Sequence, residues 1–189
     1  MIKNIILIGN GSHAKKRIIP SLKRKKINLK KIYTRKHSIF NKSKSDFLKK
    51  KNFFYVCTPP NTHDGIIKKL IDNNKHLLCE KPLSLNLDNL IEYEHLAKEK
   101  GLTVMGGYIY KFSPSHIKMK EFIEANQSRV TKAYFRIASP GIQSGWQYSK
   151  NQGGGVINEL FVHMIDLANW YFGPIENIEE IGRKLKKIR

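Results

Sequence analysis

The sequence has little cysteine, few acidic residues and no long hydrophobic run. Its 189 residues include two cysteines, Cys57 and Cys79. Each stands beside an apolar, strand-like run, so we expect two buried thiols rather than a disulfide. The longest apolar runs, such as IILIG, are far too short to span a bilayer. The first residues enter a strand-like run directly, without a signal peptide's apolar region and cleavage site. These absences predict a globular, cytoplasmic protein with no membrane partner.

Acidic residues are strongly outnumbered, with 15 Asp and Glu against 35 Lys and Arg and a formal net charge of +20. The basic residues are 28 Lys and 7 Arg, and the densest stretch, Lys15 to Lys51, holds 16 of them beside one acid, Asp46. Sites that read nucleic-acid sequence favour Arg, whose guanidinium pairs bidentately with bases and phosphates. We therefore favour a solvated, compositionally biased surface and keep a nucleic-acid partner as the alternative.

Strand-like and helical segments alternate over residues 1–107. The strand-like runs are KNIILIG, KKIYTR, FFYVCTPP, HLLCEKP and LTVMGG. The helical segments between them are SHAKKRIIPSLKR, THDGIIKKLIDNN and NLDNLIEYEHLAKEKG, and Pro20 in the first should kink or end that helix. This alternation, with short connections, predicts an α/β fold built on a doubly wound parallel sheet.

The pattern changes after residue 107. The sequence after that point predicts a helix in SPSHIKMKEFIEAN, a strand in RVTKAYFRIAS, a polar loop and a helix from Gly155 to Phe172. The segment IENIEEIGRKLKKI follows. Residues 108–189 therefore predict the start of a second, α+β unit.

The first strand leads into GNGSHA, which matches the pattern G-x-G-x-x-A. Gly9 would make the tight turn, Gly11 would let the backbone approach a pyrophosphate, and the small Ala14 would let helix and strand pack closely. Ser12 and His13 open the helix, whose N-terminal N–H groups attract the anion. The strand before the motif and the helix after it are the context typical of a dinucleotide site, and an ordinary βα turn is the alternative.

The side chains at the end of the second strand determine which nicotinamide cofactor binds. A carboxylate there binds the ribose 2′-hydroxyl of NAD, whereas a basic residue accommodates the 2′-phosphate of NADP. The sequence offers Thr34, Arg35 and Lys36 and no acid. We therefore expect Thr34 and Arg35 to bind the cofactor, with NADP preferred and NAD as the second choice.

Polar residues follow the next two strands at the edge where open α/β sheets place their ligands. Thr58, Pro59, Asn61 and His63 follow the first of these strands, although His63 can equally be read as a helix-start residue without ligand contact.

Glu80 and Lys81 follow the second of these strands, in the motif Glu-Lys-Pro. The Lys81 ammonium can donate a hydrogen bond to a reacting hydroxyl and stabilise negative charge on its oxygen. A generic surface lysine is the alternative.

The stretch GGGVINELFVHMIDLANWYFG places Glu159 and His163 four residues apart, so both can lie on one face of a helix. Histidine can take a proton near neutral pH, and a nearby carboxylate can orient the ring and stabilise its charged form. His163 is thus a candidate general base with Glu159 as its partner. A core histidine tied to Asp166 is the alternative. We identify no metal-ligating set.

Taken together, these motifs resemble the Gfo/Idh/MocA oxidoreductases, the glucose-fructose oxidoreductase and inositol dehydrogenase family. The resemblance rests on the Gly9 fingerprint and on VCTPPNTH, CEKPLS and the glycine-led helix with His163 and Asp166. The segment GGYIYKFSPSHIKMKEFI also resembles the family's crossing into the substrate domain. The resemblance implies a Rossmann NAD(P)-binding domain over residues 1–107 and a partial α+β substrate and oligomerisation domain over 108–189.

The resemblance also implies an activity and site roles. The expected reaction is hydride transfer between a nicotinamide cofactor and a sugar, nucleotide-sugar or polyol hydroxyl. Thr58, Pro59, Asn61 and His63 would line the cofactor near its ribose and nicotinamide. Glu80 and Lys81 would face the same site, and a cis peptide would precede Pro82. His163 would take the hydroxyl proton.

Three departures from the family pattern bear on these expectations, one of which is that only 18 residues separate Thr34 from Phe53. Glu159 stands where the family usually has Asp, and the family's chains usually continue into an open antiparallel sheet that covers the substrate and mediates assembly. We therefore expect a homo-oligomer or a completing chain beside a small carbohydrate substrate. A dinucleotide-binding protein without turnover is the alternative.

Overall fold

The computed structural model describes residues 4–34, 52–126, 129–139, 145–177 and 179. The chain divides into two compact units. The first comprises Met1–Tyr108 and Ile137–Val162, and the second comprises Ile109–Arg136 and His163–Arg189. The first unit is therefore discontinuous in sequence, since a later segment of the chain packs with it.

The first unit is built on a parallel sheet of five strands in the order β2-β1-β3-β4-β5. The strands are β1 (Asn4–Ile8), β2 (Asn28–Tyr33), β3 (Phe53–Val56), β4 (Leu77–Cys79) and β5 (Val104–Gly106). All five strands predicted for this region are confirmed. The last residues of the five strands pair with one another across the sheet, so the segments that follow them begin at one edge.

Helices cover both faces of this sheet, as a doubly wound fold requires. Their bounds are α1 (Ile19–Arg24), α2 (His63–Asp72) and α3 (Leu87–Glu99). One core cluster joins alternate strand residues such as Ile6 and Phe54 to Ile67 of α2. A second cluster joins Leu7 and neighbouring residues on the other face to Leu22 of α1.

Pro20 does not end the first helical segment. A π-helical segment, Ala14–Ile18, comes first, and α1 then begins at Ile19 with Pro20 in its first turn. The Ile19 N–H donates to the Ala14 carbonyl, five residues back, so the helical path is continuous and Pro20 lies inside it rather than at a free helix end. The expected kink is thus replaced by a change of helix type.

The second unit contains α4 (Pro114–Ala125) and all of α5 (Val162–Phe172) except its first residue, which falls in the first unit. The π-helical segment Ile157–Phe161 directly precedes α5 and belongs to the first unit. The predicted helices over these regions are confirmed.

The strand expected from RVTKAYFRIAS is wrong, because residues 130–139 carry no strand in the structure. A strand needs a hydrogen-bonded neighbour, and the described residues of the second unit include no other strand. Phe135 instead stacks on Tyr171 of α5, with ring centroids 6.3 Å apart. The segment IENIEEIGRKLKKI falls largely outside the described residues.

Cys57 and Cys79 are buried free thiols, as predicted, and burial raises the pKa of Cys57 to about 12. In the part of the chain that the structure describes, no helix has the length and apolar character needed to cross a membrane.

Candidate functional site

The glycine motif forms the turn that the sequence predicted. Gly9 has φ +109°, its N–H donates to the Tyr33 carbonyl at 2.8 Å, and a Cβ there would lie 2.0 Å from the Cys57 oxygen. Ala14 is fully buried where the helix meets the sheet. A Cβ on Gly11 would meet nothing within 4 Å. The turn thus leaves open space beside its backbone, which fits the approach of a cofactor diphosphate.

Of the two residues expected to discriminate between NADP and NAD, the structure describes only Thr34. Thr34 directly follows β2 and is half-buried at the same edge of the sheet. Arg35 lies outside the described residues. The preference for NADP therefore stays a prediction.

The segment after β3 is held in a tight turn before α2. The Thr62 hydroxyl lies 2.7 Å from the Thr58 hydroxyl and 2.8 Å from the Pro59 carbonyl oxygen. Thr58 and Pro59 are half-buried and Asn61 is exposed, so all three have surface at this edge. They are placed where a bound cofactor could contact them.

His63 lies beneath this edge rather than on it. The side chain is 0 % exposed, and its Nδ1 and Nε2 lie 2.8 Å from the Pro82 oxygen and 2.9 Å from the Thr58 oxygen. A ring held in this way ties the turn after β3 to the turn after β4. The geometry favours the interpretation of His63 as a residue without ligand contact.

Glu80 follows β4 and is the centre of a polar cluster. Its Oε1 accepts a hydrogen bond from the Tyr55 hydroxyl at 2.7 Å and lies 3.2 Å from His13 Nε2. Burial, the largest single influence, raises the pKa of Glu80. Hydrogen bonds from His13 and Tyr55, with the charges of His13 and Lys81, outweigh it and hold that pKa below its usual value. His13 and Glu80, both predicted as cofactor-site residues, are thus brought together by the fold.

Lys81 is drawn into an ion pair at the same edge. Its Nζ lies 3.2 Å from Glu159 Oε2 and also donates to the main-chain carbonyl of Glu159. The side chain is only 13 % exposed, so it is not a generic surface lysine. The peptide before Pro82 is cis, as the resemblance implied.

Glu159 differs from its expected role. We expected it to orient His163, but the structure pairs its carboxylate with Lys81 and with Gln147, whose Nε2 donates to Oε1 at 2.7 Å. The longer glutamate side chain brings its charge to the lysine. The Glu159 carboxylate is therefore the ion-pair partner of Lys81 in this structure.

His163 lies in the second unit at the start of α5 and is buried. Its ring centroid is 4.8 Å from that of Tyr110. Asp166, three residues on, forms an ion pair with Lys111, at 3.0 Å. Asp166 is thus engaged by a lysine of its own unit.

Sequence reasoning missed Tyr55 and Gln147. A tyrosine inside the buried strand β3 needs a partner for its hydroxyl, and this requirement was a usable signal. Gln147 lies in a short 3-10 helix, Gly145–Tyr148, in a region read only as a polar loop. Nothing local in the sequence marks it.

Comparison with known proteins identifies the family. The family model described as "Oxidoreductase family, NAD-binding Rossmann fold" of the Gfo/Idh/MocA group matches residues 3–108. The chain belongs to this family. A second model, the Gfo/Idh/MocA C-terminal domain, matches residues 117–187. The predicted fold class and family resemblance are confirmed.

Curated members of the Gfo/Idh/MocA family share about a quarter of the residues they align with. Myo-inositol 2-dehydrogenase of Thermotoga maritima is 26% identical over 161 residues, which are 84% of this chain and 45% of that protein. The NAD(+)-dependent scyllo-inositol 2-dehydrogenase of Bacillus subtilis is 27% identical over 141 residues, or 69% of this chain and 38% of that protein. The chain thus spans less than half the length of these relatives.

Solved structures of other proteins show the same fold. The WlbA dehydrogenase of Thermus thermophilus, in complex with NAD and α-ketoglutarate, superimposes with a TM-score of 0.74 at 16% identity, covering 97% of this chain and 67% of that one. At this level of identity the likeness concerns the fold alone.

Proposed function

We propose that this chain carries the cofactor-binding and catalytic groups of a nicotinamide-dependent dehydrogenase acting on a hydroxyl of a sugar, nucleotide-sugar or polyol. The observation that carries the proposal is the Lys81–Glu159 pair at the ligand edge of a Rossmann sheet. A lysine held by a carboxylate at that edge suits the chemistry of a reacting hydroxyl. The names of the two inositol dehydrogenases support the substrate class.

The bound nicotinamide supplies the hydride acceptor or donor. Lys81 donates a hydrogen bond to the substrate oxygen and stabilises the negative charge that develops there as its proton leaves. Glu159 keeps the Lys81 side chain in place while the substrate is absent. The open space at Gly11 and the helical segment after it hold the cofactor diphosphate.

His163 is the general base that takes the hydroxyl proton. Histidine changes its charge near neutral pH, which suits a group that must accept a proton in one direction and return it in the other. Arg35 and Thr34 select NADP over NAD, and the enzyme works in the cytoplasm as a homo-oligomer or with a completing chain.

Two measurements on the purified chain test the proposal. The first is fluorescence titration with NADPH and NADH. The second is a screen of inositols, sugars and nucleotide-sugars for cofactor-dependent turnover. Lys81→Met and His163→Asn should each lower turnover by about 10²–10⁴-fold while cofactor affinity is retained, because the proposal gives each residue a role in the chemical step and not in cofactor binding. Lys68→Met is a matched control on the exposed face of α2.

The outcomes separate the candidate functions. Turnover that depends on Lys81 and His163 supports the dehydrogenase. Tight cofactor binding without turnover of any substrate identifies a dinucleotide-binding protein instead. If neither cofactor binds, both are wrong.

A further inference from the structure

Gln147 anchors one oxygen of the Glu159 carboxylate. Its Nε2 donates to Oε1 at 2.7 Å, while Oε2 lies 3.2 Å from Lys81 Nζ. The two oxygens of one carboxylate are thus divided between a neutral donor and a cation. All three residues belong to the first unit.

A neutral donor suits this position for two reasons. A glutamate side chain loses considerable rotamer freedom when it is fixed, so a second anchor lowers the cost of holding it against Lys81. An amide also brings no charge of its own. The Gln147 amide therefore leaves the Glu159 carboxylate to pair with Lys81. An arginine or lysine at position 147 would compete with Lys81 for that carboxylate.

The glycine run before the helix holds the Gln147 backbone in place. Gly155 N donates to the Gln147 oxygen at 3.0 Å, and a Cβ on Gly154 would lie 2.3 Å from that oxygen. Gly153 has φ +81°, and a Cβ there would lie 2.6 Å from the Cβ of Pro60. These glycines let three chain segments pack closely, and Gln147 is fixed by that packing.

We propose that Gln147 is a positioning residue that acts through Glu159 to set the orientation of Lys81. This inference rests on the proposed function, since it assigns a part of the same site. Loss of the amide donor frees the Glu159 side chain to adopt other rotamers, and Lys81 keeps only the main-chain carbonyl of Glu159 as a fixed partner. The kcat should then fall about tenfold while KM and the cofactor Kd change little.

Matched variants test the proposal. Gln147→Met keeps length and shape but removes the donor, and Gln147→Glu places a second carboxylate beside Glu159. Gln152→Met, an exposed glutamine in the neighbouring short helix Lys150–Gln152, is the control. Each variant is measured alone and in the Glu159→Ala background, which forms a double-mutant cycle.

Acylation of Lys81 gives a readout that does not depend on turnover. Trace acetic anhydride modifies only the free amine, and peptide mass spectrometry measures the rate with Lys98 as an internal reference. The ion pair with Glu159 covers the Lys81 amine, which is only 13 % exposed, so Gln147→Met should raise the Lys81 rate several-fold and Gln147→Glu should differ from it. Gln152→Met should leave the rate unchanged.

The cycle decides the outcome. Gln147→Met should have no effect once Glu159 is alanine, in kcat or in acylation. An unchanged Lys81 acylation rate in Gln147→Met, or an equal effect in the Glu159→Ala background, overturns the proposal. If the wild type turns over no substrate, the proposed function fails, and the acylation cycle alone still decides the role of Gln147.

Discussion

Lys81 and Glu159 are 78 positions apart in the sequence and are joined twice, through the side-chain ion pair and through the main-chain carbonyl of Glu159. The lysine follows β4, and the glutamate lies in the π-helical segment that leads into α5. The pair therefore fixes the start of that helical stretch to the ligand edge of the sheet. Substitution of either residue should disturb the other.

We expect Gly9→Ala to destabilise the chain severely. A Cβ would lie 2.0 Å from the Cys57 oxygen at a φ of +109°, and backbone strain with such a clash costs about 3 kcal/mol or more. Urea unfolding followed by circular dichroism measures the loss. A variant as stable as the wild type would show that the turn is not held as described.

Gly11→Ala is the matched control for that substitution. A Cβ there meets nothing within 4 Å, so the free energy of unfolding should stay within about 0.5 kcal/mol of the wild type. The added methyl group would instead occupy space that a diphosphate needs, so NADPH and NADH affinity should fall at least tenfold. Unaltered affinity would contradict the placement of the cofactor.

Glu80→Gln should remove a pH-dependent part of the stability. The pKa of Glu80 is lowered in the folded protein, so its ionised form stabilises the fold above its unfolded-state pKa. That contribution is lost as the pH falls through the lower, folded-state value. The variant should be less stable than the wild type at neutral pH, and the difference should shrink under acid conditions.

Urea unfolding from about pH 3 to pH 8, a range that brackets the usual glutamate pKa, measures this difference. Glu92→Gln is the control, because its ion pair with Lys68 is exposed and should contribute little. A gap between Glu80→Gln and the wild type that stays constant over this pH range would contradict the prediction.

Arg35→Asp should reverse or erase the preference for NADPH over NADH. A charge-assisted hydrogen bond contributes about 1.5–3 kcal/mol, or about 10- to 100-fold in affinity. Fluorescence titration of both cofactors measures the change. Equal affinity of the wild type for both would show that Arg35 does not bind the 2′-phosphate.

The purified chain should self-associate. Several large apolar side chains of the second unit are exposed, namely Ile109, Phe112, Phe122 and Tyr134. Their burial would be favourable by about 25 cal/mol per Å². Light scattering at increasing concentration should show a rising mass, and Phe112→Ser with Phe122→Ser should lower it. A monomer at micromolar concentration would contradict the prediction.

Local sequence patterns were enough for the sheet. Short apolar runs mark every strand of the first unit except β2, whose sequence NLKKIY mixes polar and apolar residues. The positive φ of Gly9 follows from its place in the fingerprint. The strand expected at 129–139 was wrong because a strand depends on a neighbour, which no local pattern supplies.

The sequence predicted the contacts between the site residues less well than it predicted the sheet. Helical spacing suggested that Glu159 would serve His163, but the carboxylate meets Lys81 and Gln147, which lie far from it or in an unmarked loop. Contacts of this kind are set by how segments pack, so residue type and spacing predicted the members of the site and not their partners.

The buried His63 has a consequence for how the site can change over time. Because its ring nitrogens lie 2.8 Å from the Pro82 oxygen and 2.9 Å from the Thr58 oxygen, the turn after β3 and the turn that carries Lys81 share one support. A substitution that displaces one of these two turns should therefore displace the other as well. Changes at this edge of the sheet are therefore easier to acquire through side chains that do not contact His63 than through the two turns themselves.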